Sequence, residues 1–229
     1  MASARPVRVA VIDSGVHESH PHVGGVSGGI GIDEHGATHD DYVDRLGHGT
    51  AVTAAIREKA PDADIFAIKV FDRELAATGA ALVAACEYAL TLPAQIVNLS
   101  LGTQNPDHEA ALADVVKRLR DSGAIVVAAG EQAGVRWLPG SLDGVWSVTL
   151  DWVVPRDSCR LDRLNQRGAS FRATGFPRPI PGVPPVQNLK GLSFAVANVT
   201  GILARVIADD REGDAVAAVK RAFERGYFS

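Results

Sequence analysis

Three residues of this 229-residue chain carry side chains that together can activate a hydroxyl for attack on a carbonyl carbon. Asp13 ends an apolar run, His48 lies between two glycines, and Ser193 follows Gly191 by two positions. A serine hydroxyl is a weak nucleophile unless an imidazole takes its proton. The imidazole in turn needs a carboxylate to fix its tautomer and stabilise its charged form. The residue types therefore predict acyl-transfer chemistry, with Asp13, His48 and Ser193 in these roles.

Each of the three residues is predicted to lie at the end of a regular element. The run 7–13 is typical of a buried parallel strand that delivers the Asp13 carboxylate at its C-terminal end. His48 begins one helical pattern and Ser193 begins another. At a helix N-terminus, Ser193 has backbone N–H groups that favour an oxyanion. The alternative is that all three residues are purely structural. Asp13 then caps the strand end, His48 begins a helix and Ser193 is a helix N-cap.

Strand-like apolar runs alternate with helical patterns, which predicts an α/β fold with a parallel sheet and helices on both faces. Strands are predicted near residues 7–13, 65–70, 95–100, 124–128 and 145–150. Helices are predicted near residues 48–59, 78–91, 108–122, 193–208 and 214–225. The proline-rich stretch 172–185 is predicted to be an irregular surface loop. Residues 1–229 show no repeat or boundary, so one domain is expected.

The order Asp, His, Ser and a series of motifs resemble the subtilisin-like (subtilase) serine peptidases. The motifs are Asp-Ser-Gly-Val at 13–16 with Ser-His-Pro at 19–21, Gly-His-Gly-Thr at 47–50, Asn-Leu-Ser-Leu-Gly at 98–102, Val-Ala-Ala-Gly at 127–130 and Gly-x-Ser-x-Ala at 191–195. The resemblance implies a three-layer subtilisin-like fold, in which a mostly parallel central sheet is flanked by helices. It also implies a serine endopeptidase that forms an acyl-enzyme with a peptide or protein substrate.

Glu131 departs from the family pattern, which has Asn after the Ala-Ala-Gly segment. In the family, this Asn donates a hydrogen bond to the developing oxyanion. An ionised Glu only accepts hydrogen bonds and repels negative charge. Either the enzyme is weakened or inactive, or burial keeps Glu131 protonated as a donor, or Gln132 donates instead. Glu131 is therefore included among the predicted catalytic residues, and we expect a slow, selective enzyme that processes a specific precursor.

Two rival functions fit the same residues. One is a pseudo-peptidase that binds a peptide strand without cutting it, as one subunit of a heteromer. The other passes the acyl group to an amine, which gives ligation or cyclisation.

The family resemblance also implies a substrate-binding pocket. Its opposite walls are predicted from Ser100, Leu101 and Gly102 on one side and from Ala128, Ala129 and Gly130 on the other. Matching Pro139-Gly140 to the family's Pro-Gly turn places Trp137 or its neighbour Arg136 near the floor of the P1 pocket. A tryptophan there leaves a shallow pocket. The alternative is that Trp137 packs only within its own loop.

No metal or other cofactor is predicted. The family's calcium-holding loop interrupts the helix after the catalytic His, whereas here the pattern runs to Lys59 and directly into the next strand. The segment between Asp13 and His48 is rich in potential ligands, namely His17, His20, His22, His35, His39, Asp33, Asp40, Asp41 and Asp44. A His20-x-His22 pair suits zinc or nickel. A family turn and a polar surface loop explain the same residues, and the pairs 33–34 and 40–41 are interpreted as a solvated acidic rim.

Composition narrows the class of protein. With 46% hydrophobic residues and a formal net charge of −4, the chain can bury one core and has no basic surface for nucleic acid or anionic membranes. No run is expected to span a bilayer, and neither a signal peptide nor a pro-segment is expected before the first strand. Cys86 and Cys159 are interpreted as idle thiols of a reducing compartment, which predicts a cytoplasmic protein.

Overall fold

The computed structural model describes residues 6–210 and 214–228. The strands are β1 (Arg8–Asp13), β2 (Gly28–Ile32), β3 (Thr38–His39), β4 (Asp64–Lys69), β5 (Ile96–Leu99), β6 (Ile125–Ala129), β7 (Trp146–Leu150), β8 (Arg160–Asn165) and β9 (Gly168–Ala173). The α-helices are α1 (His48–Lys59), α2 (Gly79–Ala89), α3 (Glu109–Asp121), α4 (Leu192–Asp209) and α5 (Ala215–Glu224).

All of these strands belong to one sheet, in the order β3-β2-β4-β1-β5-β6-β7-β9-β8. Neighbouring strands are parallel except at the two edges, where β3 and β8 pair antiparallel with β2 and β9. Central strands such as β1 and β6 are buried almost along their whole length, as expected for a sheet covered on both faces. This mostly parallel sheet between helices confirms the predicted three-layer subtilisin-like fold.

Alternate side chains of β1 point into two separate cores. Val9 and Val11 belong to the cluster that contains the buried faces of α1, α4 and α5. Ala10 and Ile12 belong to the cluster formed with α2 and α3. This alternation follows from the two-residue period of a strand. As a result, β1 is fixed from both sides and delivers its last residue, Asp13, to a defined place at the edge of the sheet.

The five strands and five helices predicted from the sequence are confirmed to within a few residues at their ends. Four strands were not predicted, namely β2, β3, β8 and β9. The prediction of a surface loop over 172–185 was wrong at its start. Arg172 and Ala173 lie in β9, Thr174 is buried, and the proline signal begins only at Pro177.

Helix α4 corrects a second expectation, that no segment is apolar enough to span a bilayer. It has a mean hydropathy of 1.4 over 18 residues, so it qualifies by length and composition. In this structure 67% of that window is buried inside the protein. The apolar length of α4 is therefore accounted for by a central core helix, packed against α1 and the sheet.

Candidate active site

Asp13 and His48 form a nearly buried acid–imidazole pair. Asp13 is the last residue of β1, and His48 is the first residue of α1. The Nδ1 atom of His48 lies 2.7 Å from Oδ1 of Asp13, and the Ser14 backbone N–H donates to the same oxygen at 2.7 Å. Because a carboxylate only accepts, this contact places the hydrogen on Nδ1 and leaves Nε2 free to accept a proton.

The surroundings of His48 favour its protonated form. Burial lowers the pKa of His48, but the hydrogen bond to Asp13 and the negative charges of Asp13 and Asp44 outweigh burial and raise the pKa above its usual value. The base is therefore poised to take a proton more readily than a free histidine.

Asp44 is a buried carboxylate in the loop that leads to His48. One of its oxygens accepts the backbone N–H groups of Leu46 and Gly47, both at 2.9 Å. The other accepts the Thr50 N–H at 2.8 Å and the Thr50 hydroxyl at 2.6 Å. Gly47 adopts a φ of +79°, a left-handed conformation that favours glycine, immediately before the helix starts.

Sequence reasoning missed the role of Asp44, because it grouped this residue with the polar surface loop. In the structure Asp44 is only 8% exposed. The available signal was its position four residues before the first helical residue, with a glycine between them. A carboxylate there can accept the N–H groups that the first helical turn leaves without partners.

Ser193 lies in the first turn of α4, after Gly191, whose φ of +151° also favours glycine. The Ser193 hydroxyl donates to the Ser100 carbonyl oxygen at 2.9 Å, and the Ser100 hydroxyl donates to the Ser193 carbonyl oxygen at 3.2 Å. Asn98 extends this link, since its amide donates to the Ser100 hydroxyl at 2.9 Å and its oxygen accepts the Thr200 hydroxyl at 2.8 Å. The end of β5 and the start of α4 are therefore tied together.

Ser193 and His48 line one cavity of about 300 Å³. The structure brings the predicted acid and base into hydrogen-bond contact, and the predicted nucleophile lines the same cavity as the base. In this conformation the Ser193 hydroxyl donates to the Ser100 carbonyl, so the predicted proton transfer to Nε2 of His48 requires the hydroxyl to turn. Catalytic hydrogen bonds often tighten only when substrate is bound.

The cavity agrees with one predicted pocket wall. Ser100, Leu101 and Gly102 line it, together with residues 71 and 75–79. Trp137 also lines the cavity. It packs closely against Gly102, since a Cβ atom added to Gly102 would lie 3.4 Å from the Cβ atom of Trp137. The three residues predicted for the opposite wall are Ala128, Ala129 and Gly130. They are buried at the end of β6 and do not line this cavity, so the two-walled P1 pocket and its floor stay predictions.

Glu131 lies two residues after the end of β6, and its side chain is exposed. It is not among the residues that line the cavity of His48 and Ser193. The buried setting required for a protonated Glu131 donor is therefore not present. The Gln132 side-chain oxygen accepts the Leu150 backbone N–H at 2.8 Å, which anchors this amide to β7 rather than to the cavity.

The acidic and histidine-rich segment contains ion pairs as well as exposed side chains. Asp41 is bound to Arg45 at 2.7 Å and to Lys69 at 3.4 Å, and mainly the Arg45 hydrogen bond lowers the pKa of Asp41 to about 2. Asp41, predicted to belong to a solvated acidic rim, has a side chain that is 40% exposed and is paired with these two cations. Within the described residues there is no group of three or more His, Cys, Asp or Glu side chains that suits a metal ion. His17, His20 and His22 instead line a separate, mainly apolar cavity of about 510 Å³.

Comparison with known proteins places this geometry in a family. A family model described as the subtilase family matches residues 4–149, which include Asp13 and His48 but end before Ser193. The thermostable alkaline protease of Halalkalibacterium halodurans is 30% identical over 220 residues, covering 87% of this chain and 56% of that protein. The subtilisin of Bacillus pumilus is 30% identical over 211 residues, covering 86% of this chain and 72% of that protein.

A solved structure of a lanthipeptide protease shares the fold, with a TM-score of 0.68 at 19% identity, covering 93% of this chain and 77% of that chain. The chain spans about half the length of the first curated relatives that it matches. The family model covers more than half of the chain, and the relatives extend the match over most of it. The chain therefore belongs to the subtilase family.

Proposed function

We propose that the protein is a serine endopeptidase that cleaves a peptide bond through an acyl-enzyme formed on Ser193. The observation that carries this proposal is the 2.7 Å contact between Asp13 and His48, made beside a cavity that Ser193 also lines. Family membership supports the same chemistry.

The proposed reaction begins when the Ser193 hydroxyl turns from the Ser100 carbonyl to Nε2 of His48. Its oxygen attacks the scissile carbonyl carbon while Nε2 takes the proton, and Asp13 stabilises the resulting imidazolium. The oxyanion faces the N-terminus of α4, a helix end that favours negative charge. Nε2 then gives the proton to the leaving amine. Water, activated by the same histidine, releases the acyl group and restores the Ser193 hydroxyl.

We propose that this enzyme is slow and selective rather than digestive. Glu131 stands where the family has an oxyanion donor, and its exposed side chain cannot replace a neutral amide donor. The cavity beside His48 is small, and Trp137 occupies part of its wall. A slow peptidase with a narrow cleft suits the maturation of a precursor peptide. The fold shared with a lanthipeptide protease supports a peptide precursor as the substrate class.

We also propose that the protein works in a reducing compartment. Cys86 and Cys159 are both buried. Burial raises the pKa of each thiol to about 12, so neither is suited to forming a disulfide. Completion of the site by a partner subunit stays a prediction.

A non-cleaving peptide binder is the second candidate function. The hydrogen bond from the Ser193 hydroxyl to the Ser100 carbonyl favours it, because this bond holds the nucleophile away from the base. Cleavage experiments separate the candidates.

The test is hydrolysis of a defined peptide library in water enriched in ¹⁸O, followed by mass spectrometry. We expect slow cleavage at few sites, with one ¹⁸O atom in each new carboxylate. The Ser193→Ala variant should be inactive, and Asp40→Asn, an exposed change in the same chain, should cleave normally. New peptide bonds to added amines would indicate acyl transfer, and no product after long incubation would support the non-cleaving binder.

A further inference from the structure

Asp44 connects the start of α1 to the end of β1. Besides its bonds to the loop and to Thr50, its Oδ1 atom accepts the Ser14 hydroxyl at 2.8 Å. The same Ser14 oxygen accepts the Gly49 backbone N–H at 2.9 Å. One buried carboxylate therefore holds the loop before His48, the first turn after it, and the residue next to Asp13.

These bonds join the acid and the base of the site into one network. The Ser14 backbone N–H donates to the Asp13 oxygen that also contacts His48. The first turn of α1 also approaches β1 very closely. A Cβ atom placed on Gly49 would lie 2.2 Å from the Gly15 carbonyl oxygen and 3.2 Å from Oδ1 of Asp13. Small movements of this turn therefore change the distance between His48 and Asp13 directly.

We propose that Asp44 is a positioning residue for the Asp13–His48 pair, fixing the helix start that carries the base and, through Ser14, the strand end that carries the acid. This role rests on the proposed function. Asp44 acts through other residues and does not touch the reacting atoms, so it is distinct from the triad.

The charge of Asp44 adds an electrostatic effect to this positioning. The ionisable groups that act on the His48 imidazole are Asp13 from β1 and Asp44 from the loop before α1. The ring of Phe194 packs against His48 from α4, with centroids 5.5 Å apart, and carries no charge. Among the described residues that line the cavity of His48, none besides His48 itself is ionisable at neutral pH. Removal of the Asp44 charge should therefore lower the pKa of His48.

The test compares Asp44→Asn with Asp40→Asn, which removes the same charge from an exposed position nearby in the chain. The pKa of His48 is measured by NMR titration without substrate, and kcat and KM are measured on a cleaved peptide. We expect Asp44→Asn to lower the pKa of His48 and to reduce kcat about 10- to 100-fold, with little change in KM. Asp40→Asn should change neither quantity. A folded Asp44→Asn protein with an unchanged pKa and kcat would overturn the proposal, as would equal effects in both variants.

If Asp44→Asn does not fold, Ser14→Ala is the deciding variant, since it removes the link to β1 and leaves the bonds of Asp44 to Leu46, Gly47 and Thr50. We expect a several-fold loss of kcat and a shifted His48 titration, and wild-type values for both would refute the proposal. The titration needs no substrate. A shift in His48 without any detectable peptide cleavage by wild type would therefore count against the proposed function and not against the role of Asp44.

Discussion

Lys59 is a buried cation at the end of α1, beside the helix that carries Ser193. It is 5% exposed, and its ammonium nitrogen lies 3.1 Å from the Glu58 carboxylate. The Cβ atom of Lys59 packs against Gly201 of α4, since a Cβ atom added to Gly201 would lie 3.0 Å from the Cβ atom of Lys59. Burial lowers the pKa of Lys59 from 10.5 to about 8 despite the Glu58 charge. The folded protein therefore disfavours the charged form of this side chain.

The size of this effect follows from the pKa change. Each pKa unit corresponds to about 1.4 kcal/mol, so the change from 10.5 to about 8 amounts to about 3 kcal/mol below pH 8. Methionine keeps most of the aliphatic stem but carries no charge. We expect Lys59→Met to raise the free energy of unfolding at pH 7 by about 1–3 kcal/mol, because the net effect of burial and the Glu58 contact disfavours the charge that methionine removes. For a domain of this size, the melting temperature should rise by roughly 2–10 °C.

The pH dependence of stability tests independently whether the Lys59 charge destabilises the folded protein. Between pH 8 and 10.5 the unfolded chain keeps the Lys59 proton and the folded chain has lost it. The unfolded state then binds more protons, so wild-type stability rises with pH in this window relative to the variant. The stability difference between Lys59→Met and wild type should therefore shrink from pH 7 toward pH 10.5.

Urea unfolding at several pH values measures both quantities. The matched control is Lys117→Met, which alters a helical lysine whose side chain is 63% exposed. It should change stability by less than about 0.5 kcal/mol. A Lys59→Met protein that is less stable than wild type at pH 7, or a stability difference that does not vary with pH, would refute the reasoning and show that the Glu58 pair outweighs burial.

Four further predictions concern activity and metal dependence. Glu131→Asn supplies the amide donor that the family has at this position, and the exposed side chain must turn toward the cavity to reach the oxyanion. We then expect kcat to rise about 10- to 1,000-fold with little change in KM, since loss of such a donor in subtilisin costs about 10²–10³ in kcat. An unchanged kcat would show that position 131 stays outside the site, and a large drop in rate would reveal a positive role for Glu131. Because the pKa of His48 is raised, kcat/KM should fall on acidification through a midpoint above 6.5, and a midpoint below that value would contradict the Asp13 contact. Wild type should cleave after Gly, Ala or Ser in a peptide library, and Trp137→Gly should admit Phe or Leu at P1; efficient wild-type cleavage after Phe would show that Trp137 does not close the pocket. Melting curves with chelator and with added calcium should overlay, because α1 runs unbroken to Lys59 and 60–63 lead directly into β4, whereas a shift of several degrees would show a calcium site.

The sequence was sufficient to predict the central elements because burial on both faces imposes apolar runs. Strands β1 and β6 consist almost entirely of buried residues, and α1 begins and ends as its pattern predicted. The missed strands β2, β3 and β8 have no such signal. Strand β2 contains Gly28, Gly29 and Gly31, and β8 is an edge strand with mostly exposed polar residues. Strand β2 pairs with β4, which follows only after α1, whereas β8 forms a hairpin with the adjacent β9.

The site residues that belong to sequence motifs could be predicted. The residues whose role depends on contacts formed only in the folded chain were missed. Asp13 and His48 were identified by motif, and the structure brings them together. Asp44 looked like a surface acid because its partners are backbone N–H groups that converge only in the folded loop. The exposure of Glu131 likewise depends on the path of the chain after β6.

The central claim is that Ser193 is an activated nucleophile served by His48 and Asp13. Its most direct test is intact-mass analysis of the protein after treatment with a fluorophosphonate, which phosphonylates a serine only when a neighbouring base activates it. The account predicts one adduct, mapped to Ser193 by peptide digestion, absent in Ser193→Ala and greatly slowed in His48→Ala. An adduct at another residue, or none after prolonged exposure of folded wild-type protein, would contradict it.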